Sequence, residues 1–335
     1  MKRVLLFALL LSAALLAGAF LFLFVGDAPE ASMITWGANF SQKQASRLGF
    51  DFKEVYTALF EDLGAKDLKI AVHWDLLEPE KDAFFFEDLD WMMDEAARRG
   101  GRVLLAVGMK TPRWPECHIP SWAVGLAREA QQEEILEMLA SVVVRYRGHE
   151  ALGSWQVENE PLFPFGECPW RDSAFLNTEL RLVQSLDSGH PVFTSDSGEL
   201  SFWWNIARLG DKAAITMYRK AWYTPLERYV DYPLPPVFYW RKALLVDALF
   251  GKEVLVGELQ AEPWTPGALE EALLEEQEKT MNLARFRENI AFARETGLDT
   301  FYLWGAEWWY WMREVQLKEE IWEEAKTLFL QDETF

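Results

Sequence analysis

The feature that most constrains this chain is a repeated alternation of short β-type runs with longer amphipathic segments. The alternation begins near Met33 and continues to the end of the sequence without a second linker. Eight such units predict a parallel sheet with crossover helices, and eight strands close into a (β/α)8 TIM barrel. The predicted strands are Met33–Ala38, Leu68–His73, Arg102–Val107, Leu152–Val157, Pro191–Ser195, Ala213–Met217, Glu253–Gly257 and Thr300–Trp304.

An open, doubly wound α/β sheet is the alternative architecture. It would place a glycine-rich phosphate loop after its first strand, but Trp36-Gly-Ala-Asn-Phe40 stands there instead. Helices are predicted between the strands, and glycine, a common C-terminal cap, follows two of them. The long segment from Arg219 to Trp240 receives no assignment. The predicted helices are Phe52–Leu63, Leu89–Arg99, Glu129–Arg147, Ser173–Leu186, Glu275–Thr296 and Arg313–Leu330.

The N-terminal segment predicts export. Met1-Lys-Arg3 precedes an unbroken apolar run from Val4 to Gly26, which matches the ~20 residues needed to cross a bilayer. The basic residues place its start on the cytoplasmic side. We favour an uncleaved signal anchor, with a signal peptide cleaved near Ala17-Gly-Ala19 as the alternative. The predicted organisation is an anchor or signal over 1–26, a linker over 27–32 and an extracytoplasmic catalytic domain over 33–335.

Composition narrows the possible partners. The formal net charge of −20 argues against a nucleic-acid partner, which would require basic patches. The four histidines show no metal-ligand spacing, so we expect neither a metal nor a cofactor. The two cysteines, Cys117 and Cys168, lie in Pro-rich loops. In an oxidising compartment they form either a disulfide or two buried thiols, and the sequence leaves both alternatives open.

Polar and aromatic residues concentrate at the predicted carboxyl ends of the strands, where barrels of this kind build their active sites. The stretch WQVENEP ends the fourth strand with Glu158, Asn159 and Glu160. Because strand residues alternate faces, we expect Glu158 one layer below Glu160, with a buried partner such as Lys69. The other strand ends carry Asn39, His73, Trp74, Lys110, Asp196, Tyr218, Arg219, Glu258 and Trp304.

Glu160 and Glu258 are the candidate catalytic pair. Hydrolysis of a glycosidic bond needs one carboxyl to protonate the leaving oxygen and a second to attack the anomeric carbon or activate water. Strands four and seven of an eight-strand barrel can bring two side chains together over the mouth. A separation of about 5–5.5 Å predicts retention of configuration, and a wider one predicts inversion. Glu262, four residues after Glu258, is the rival nucleophile.

Three strand ends, WQVENEP, VGELQAEPW and FYLWGAEWW, resemble the retaining glycoside hydrolases of clan A, which are (β/α)8 barrels. The second-strand segment HWDLLEPEKDAFFFEDLDWMMDEAARRG fits the same pattern. Within the clan, the sequence is similar to glycoside hydrolase family 5, the cellulase family, and its close relatives. The resemblance spans the domain from about Met33. It implies that Glu160 is the general acid/base and Glu258 the nucleophile.

The resemblance also implies three supporting roles. Asn159 would bind the sugar 2-hydroxyl, Tyr218 would orient the nucleophile, and Trp304 would form an aromatic floor beneath the sugar. One position departs from the pattern, because the clan usually has an arginine on the second strand near the nucleophile. This chain has Lys69 and His73 there instead.

Further substrate contacts are expected from aromatic and polar residues in the mouth loops. Tryptophan rings offer flat apolar surface to the C–H faces of sugars. The polar clusters 113–116 and 196–199 either line subsites or form salt-bridged loops. Arg219 is expected to support the nucleophile together with Tyr218. The candidate substrate-binding residues are Asn159, Tyr218, Trp304, Trp264, Trp74, Trp114, His73, Lys110, Asp196 and Arg219.

These expectations combine into one predicted function. We expect an anchored or secreted, monomeric retaining glycosidase that acts on β-linked oligo- or polysaccharides. Two alternatives stand beside it: a barrel that binds carbohydrate without turnover, and an envelope scaffold protein.

Overall fold

The computed structural model describes residues 2–331 and contains a closed barrel of eight parallel strands, as predicted. The strands follow one another around the barrel in chain order, and the first pairs with the last. Four of them have the predicted bounds, and the others differ by one to three residues at their ends. From first to eighth the strands are Thr35–Phe40, Asp67–Ala71, Arg102–Val107, Leu152–Val157, Val192–Asp196, Ala213–Met217, Val254–Gln260 and Thr300–Trp304.

Two hydrophobic layers hold the barrel together. A small cluster fills the interior, with one residue from each of five strands: Leu104, Phe193, Ala214, Leu255 and Tyr302. The larger layer packs the outer faces of the strands against the helices. Because strand residues alternate faces, each buried strand directs side chains to both sides of the barrel wall. The polar residues that also point inward therefore need partners within the barrel.

The helices lie around the barrel and on its rims. Two predicted helices are each interrupted. In the helix predicted over 275–296, Asn282 caps a new helix by accepting a hydrogen bond from the Arg285 backbone. In the helix predicted over 313–330, a turn separates Glu314 from Glu320. The helices are Lys2–Phe24, Gln42–Arg47, Phe52–Glu61, Trp74–Leu77, Glu87–Arg98, Arg128–Tyr146, Ser173–Leu186, Trp204–Leu209, Pro236–Phe250, Leu274–Gln277, Leu283–Glu295, Ala306–Glu314 and Glu320–Gln331, with short 3-10 turns at Thr224–Leu226 and Leu269–Glu271.

The segment 219–240, for which the sequence predicts no element, has regular structure. It forms an antiparallel hairpin of Lys220–Tyr223 with Arg228–Asp231. The hairpin leads into the helix Pro236–Phe250, which begins after the extended Pro235 and ends at Gly251 with a left-handed backbone. This helix connects the sixth and seventh strands.

The N-terminal helix Lys2–Phe24 extends away from the barrel. From Arg3 it is long and apolar enough to cross a membrane. Its last turn contacts the domain, where the Phe24 ring lies 5.3 Å from the Phe238 ring. Before the first strand begins, the Pro29 carbonyl lies close to Gly297.

Two mouth loops are joined by a disulfide. Cys117, after the third strand, is bonded to Cys168, after the fourth strand. The bond closes a stretch with a sequence separation of 51 residues. It therefore fixes the loop that carries Glu116 against the loop that follows Glu160.

Candidate active site

The fourth strand ends in a distorted turn at the predicted acid. Glu158 and Glu160 have positive φ angles of 60° and 43°, a region that ordinary residues rarely adopt. The strand alternation therefore stops at Val157. As a result Glu158 points outward, where Met109 and Lys110 donate their backbone N–H groups to its two carboxylate oxygens, each at 2.7 Å.

The expectation that Glu158 lies below Glu160 and pairs with Lys69 is wrong. Glu158 instead shares a hydrogen bond with Glu179 of the helix Ser173–Leu186. Burial raises the pKa of Glu158 to about 7. Burial, and then the charge of Glu158, raises the pKa of Glu179. These two carboxyls belong to the packing outside the barrel, and their raised pKa values favour a proton shared between them.

Glu160 lies buried at the barrel mouth. Its backbone N–H donates to Ser195 Oγ at 2.9 Å, and the Thr216 hydroxyl donates to its Oε1 at 3.3 Å. Burial raises the pKa of Glu160 well above its ordinary value, and the negative charge of Glu258 raises it further. A carboxyl in this environment remains protonated at a pH where an exposed glutamate is ionised.

Glu258 lies on the seventh strand, and Glu160 follows the fourth strand. Lys69 Nζ is 3.2 Å from its Oε1, and the Tyr218 hydroxyl donates to its Oε2 at 3.0 Å. In the strand register, Thr216 is the neighbour of Glu258. Since Thr216 also bonds to Glu160, the two carboxyls occupy adjacent positions over the mouth.

Asn159 is held on both sides of its amide group. Its Oδ1 accepts hydrogen bonds from Gln156 Nε2 and Ser195 Oγ, both at 3.1 Å. Its Nδ2 donates to Glu116 Oε2 at 3.1 Å. An amide nitrogen has two N–H groups, and among residues 2–331 only one of them has a protein acceptor.

Glu116 is a buried mouth carboxyl that the sequence indicated only as part of a polar cluster. Burial raises its pKa to about 7; Lys110 lowers that pKa and Glu258 raises it. Its position is tightly fixed, because it has a left-handed backbone with φ of 74° and precedes the disulfide-bonded Cys117. A Cβ at Gly166 would lie only 2.6 Å from the Glu116 Cβ.

His73, Lys110 and Asp196 lie near the mouth but are engaged within the protein. His73 contacts the hydroxyls of Ser41 at 3.0 Å and Thr111 at 3.2 Å, and burial lowers its pKa so that it is neutral. Lys110 Nζ donates to the Glu160 carbonyl at 2.8 Å. Asp196 accepts hydrogen bonds within its own loop, from the Ser197 backbone and the Ser201 hydroxyl.

Trp304 ends the eighth strand beneath a buried cation. The guanidinium of Arg113 lies 4.0 Å from its ring centroid. Arg113 also pairs with Glu262 and, at 2.7 Å, with Glu307. The rival nucleophile Glu262 is therefore already paired with an arginine, whereas Glu258 contacts a lysine and a tyrosine inside the barrel. The cluster 113–116 thus contributes both an ion-paired network and a mouth carboxyl.

Trp264 borders the site, whereas Trp74 does not. Trp264 is half-buried and packs edge-on against Tyr218, with ring centroids 5.1 Å apart. Trp74 is fully buried and donates to Glu78 Oε2 at 2.8 Å. Its predicted role in sugar binding is therefore wrong, because the short helix Trp74–Leu77 turns the ring away from the mouth.

Arg219 is also directed away from Glu258. It donates to the Leu234 carbonyl at 2.8 Å, and its guanidinium lies 3.9 Å from the Phe292 ring centroid. The prediction that it supports the nucleophile is wrong, because the hairpin that starts at Lys220 draws its side chain outward. Tyr218, one residue earlier, alone keeps the predicted contact.

Glu199 is a mouth-side residue that sequence reasoning indicated only weakly, as the end of the cluster 196–199. It accepts hydrogen bonds from the Tyr218 backbone at 2.8 Å and from the Tyr239 hydroxyl at 2.9 Å. Burial raises its pKa to about 7. Its charge also raises the pKa of Glu160.

One group with metal-ligand spacing occurs among the described residues 2–331, and it lies outside the mouth. It consists of Asp82, Glu134 and Glu137, which are exposed or half-buried. Lys81 already pairs with Glu134. Exposed acidic groups of this kind are common without an ion, so we assign it no function.

No family model matches the chain, and no curated protein matches its sequence. Solved structures match its fold. GH5_18 from Bifidobacterium longum subsp. longum superposes with a TM-score of 0.61 and 14% identity, over 91% of this chain and 80% of that one. Xylanase 10B from Thermotoga maritima superposes with a TM-score of 0.59 and 15% identity, over 89% of this chain and 95% of that one.

Larger enzymes match over part of their length. The β-galactosidase of Halorubrum lacusprofundi superposes with a TM-score of 0.57 and 15% identity, over 90% of this chain. This chain spans 58% of that enzyme and 52% of the β-galactosidase from Rahnella sp. R3. The chain therefore has the (β/α)8 barrel fold of glycoside hydrolase family 5 and other clan A glycoside hydrolases.

Proposed function

We propose that this protein is a glycoside hydrolase that cleaves β-linked glycans with retention of configuration. Glu160 is the general acid/base, and Glu258 is the nucleophile. The observation that carries the proposal is the difference between their environments. Burial and a neighbouring negative charge favour the protonated form of Glu160, while a lysine and a phenol both bind the carboxylate of Glu258.

The proposed reaction has two steps. In the first, Glu160 gives its proton to the glycosidic oxygen while a Glu258 oxygen attacks the anomeric carbon, so that the leaving alcohol departs and a glycosyl-enzyme forms. In the second, Glu160 removes a proton from water as the water attacks the same carbon, which releases the sugar and frees Glu258. Two inversions at one carbon give net retention.

The neighbouring residues support both steps. Lys69 and Tyr218 hold Glu258 from two sides and stabilise its charge before attack. Thr216 orients the Glu160 carboxyl. The free N–H of Asn159 is available to a sugar hydroxyl, a contact that strengthens in the transition state of these reactions.

The fold comparisons support a sugar substrate with β linkages. The matched proteins include a xylanase and β-galactosidases, and one GH5_18 enzyme was solved in complex with GlcNAc. The half-buried Trp264, which packs edge-on against Tyr218, offers flat apolar surface of the kind that packs on pyranose rings. These features favour a pyranose glycan at the mouth.

The test is turnover of aryl β-glycosides with gluco, manno, galacto and xylo sugars by the full chain in detergent. Wild-type protein should release the phenol from at least one of them. Glu258→Gln should lose this activity, whereas Gln132→Glu, a change on a distant outer helix, should keep it. Absence of turnover with every glycoside, combined with tryptophan quenching by oligosaccharides, would favour the carbohydrate-binding alternative.

A further inference from the structure

We propose that the helix Pro236–Phe250 rests on the membrane surface and binds lipid headgroups through Arg241. The proposal rests on the N-terminal helix as an uncleaved anchor, and it is independent of the sugar chemistry. It gives the barrel a second membrane contact and thereby a fixed orientation relative to the bilayer.

The first argument is the position of the anchor. The 22-residue helical span from Arg3 to Phe24 is roughly 33 Å long at 1.5 Å per residue, which is the thickness of a hydrocarbon core. Leu23 and Phe24, in its last turn, are partly buried against the domain. The next charged residue is Asp27. The bilayer surface therefore lies close to Phe24.

The second argument is what touches this end of the anchor. Phe24 packs against Phe238, and the guanidinium of Arg241 lies 4.9 Å from the Phe22 ring centroid. Both partners belong to the helix Pro236–Phe250. Groups in contact with the last turn of a membrane-spanning helix lie at the boundary between hydrocarbon and headgroups.

The third argument is the state of Arg241. Its guanidinium lies 4.6 Å from the Trp240 ring centroid in addition to Phe22. Its buried Nε has no hydrogen-bond partner, and within residues 2–331 no carboxylate pairs with it. The chain has 53 acidic and 33 basic residues, so an arginine without a carboxylate partner is unexpected. A guanidinium presents a fork of donors that matches phosphate oxygens.

The fourth argument is the exposed surface of the same helix. Leu244 is 38% exposed and Leu249 is 59% exposed, and Trp240 is half-buried beside them. Tryptophan, arginine and exposed leucine together are typical of segments at the membrane interface. The bilayer that the anchor crosses is the occupant that lies within reach of this surface.

Spin-label accessibility tests the proposal. Both native cysteines form a disulfide, so an introduced cysteine can be labelled selectively. Labels would be placed at Leu244→Cys and Leu249→Cys, with matched controls at the exposed leucines Leu200→Cys and Leu317→Cys. The full chain would be reconstituted in phosphatidylcholine vesicles containing phosphatidylglycerol. Collision rates with oxygen and with a polar nickel chelate would then be compared.

The proposal predicts an oxygen-to-nickel ratio at 244 and 249 at least threefold above that at the controls. Adding Arg241→Glu to the 249-labelled protein should lower its ratio at least twofold, whereas Arg171→Glu, at an exposed arginine in a mouth loop, should leave it unchanged. Equal ratios at all four positions would overturn the membrane contact. An unchanged ratio in Arg241→Glu would overturn the phosphate role. An equal loss of the ratio on Arg241→Glu substitution in phosphate-free detergent micelles would also overturn it.

Discussion

The ammonium of Lys69 lies 3.2 Å from Oε1 of Glu258, and both side chains are buried within the barrel. The resemblance to clan A enzymes leads one to expect an arginine near the nucleophile, and this chain has none on its second strand. Lys69 takes that place as a cationic partner. Because the pair is desolvated, its geometry matters more for function than that of any surface ion pair.

We therefore predict that Lys69→Met reduces kcat/KM by roughly 10- to 100-fold, since a hydrogen bond to a charged group contributes about 1.5–3 kcal/mol. The main effect should fall on glycosyl-enzyme formation. Single-turnover kinetics with an aryl glycoside would measure it. Lys242→Met is the matched control, because this buried lysine bonds to the carbonyls of Gly198 and Ser201 instead. Equal losses in the two variants would mean that general destabilisation, not loss of the partner, is responsible.

Glu160→Gln should slow hydrolysis of poor leaving groups by roughly 10²–10⁴-fold, the usual contribution of general acid–base catalysis. Glycosides with highly acidic leaving phenols should lose much less, because they need no proton to depart. Azide should then accelerate the reaction and give a β-glycosyl azide, which NMR would identify. An α-glycosyl azide, or equal losses for good and poor leaving groups, would contradict the assigned role.

The alkaline limb of the pH–rate profile should follow ionisation of Glu160. The charge of Glu199 raises the pKa of Glu160, and Lys110 lowers it. Glu199→Gln removes a negative neighbour, so the alkaline limb of kcat/KM should shift to lower pH. The acidic limb should change less. A shift to higher pH would show that another group controls this limb.

Glu116 should act through Asn159. Glu116→Ala frees the amide of Asn159, and we expect kcat/KM to fall about tenfold, in keeping with the loss of one hydrogen bond to a charged group. Asn159→Ala should produce a similar loss, and the double variant should lose little more than either single variant. Aryl 2-deoxyglycosides, which lack the 2-hydroxyl, should be affected less than the parent sugars. Additive losses, or equal losses with both substrates, would contradict this coupling.

The outer pair Glu158 and Glu179 predicts a pH-dependent stability effect. The pKa of both carboxyls is raised in the folded protein, so the folded state binds more protons than the unfolded one between about pH 4.3 and pH 7. Their contribution to the free energy of unfolding is fully present below this window and falls as pH rises through it. Glu179→Gln should remove this dependence. The free energy of unfolding of the variant, relative to that of the wild type, should therefore be higher at pH 8 than at pH 4.5. Urea unfolding at both values would measure it, and a constant difference would contradict the shared proton.

The barrel was predictable because its signals are local and repeated. Parallel strands buried on both faces read as short apolar runs, and their carboxyl ends collect polar residues such as Asn159 and Glu258. The helix Pro236–Phe250 gave no such signal, because it is apolar around most of its circumference and starts within a proline-rich stretch. Its contact with the N-terminal helix depends on tertiary structure alone.

The site was predictable in its positions but not in its pairings. Strand alternation placed Glu158 inside the barrel, and only the positive φ angles at the strand end reversed this. Trp74 was expected at the mouth because it follows a strand end, but a four-residue helix rotates it into the core. The sequence suggests Lys69 as a partner for Glu158, but Lys69 bonds to Glu258 because that carboxylate is the one inside the barrel.

The nucleophile is the central claim, and trapping it is the most direct measurement. The full chain would be incubated with activated 2-deoxy-2-fluoro β-glycosides of the gluco, manno, galacto and xylo series, followed by intact and peptide mass measurement. We predict one fluoroglycosyl adduct, located on Glu258 and absent in Glu258→Gln. An adduct on Glu262, which pairs with Arg113, would contradict the assignment of the nucleophile. Release of the phenol from ordinary glycosides with inverted product configuration and no adduct would contradict the retaining mechanism itself.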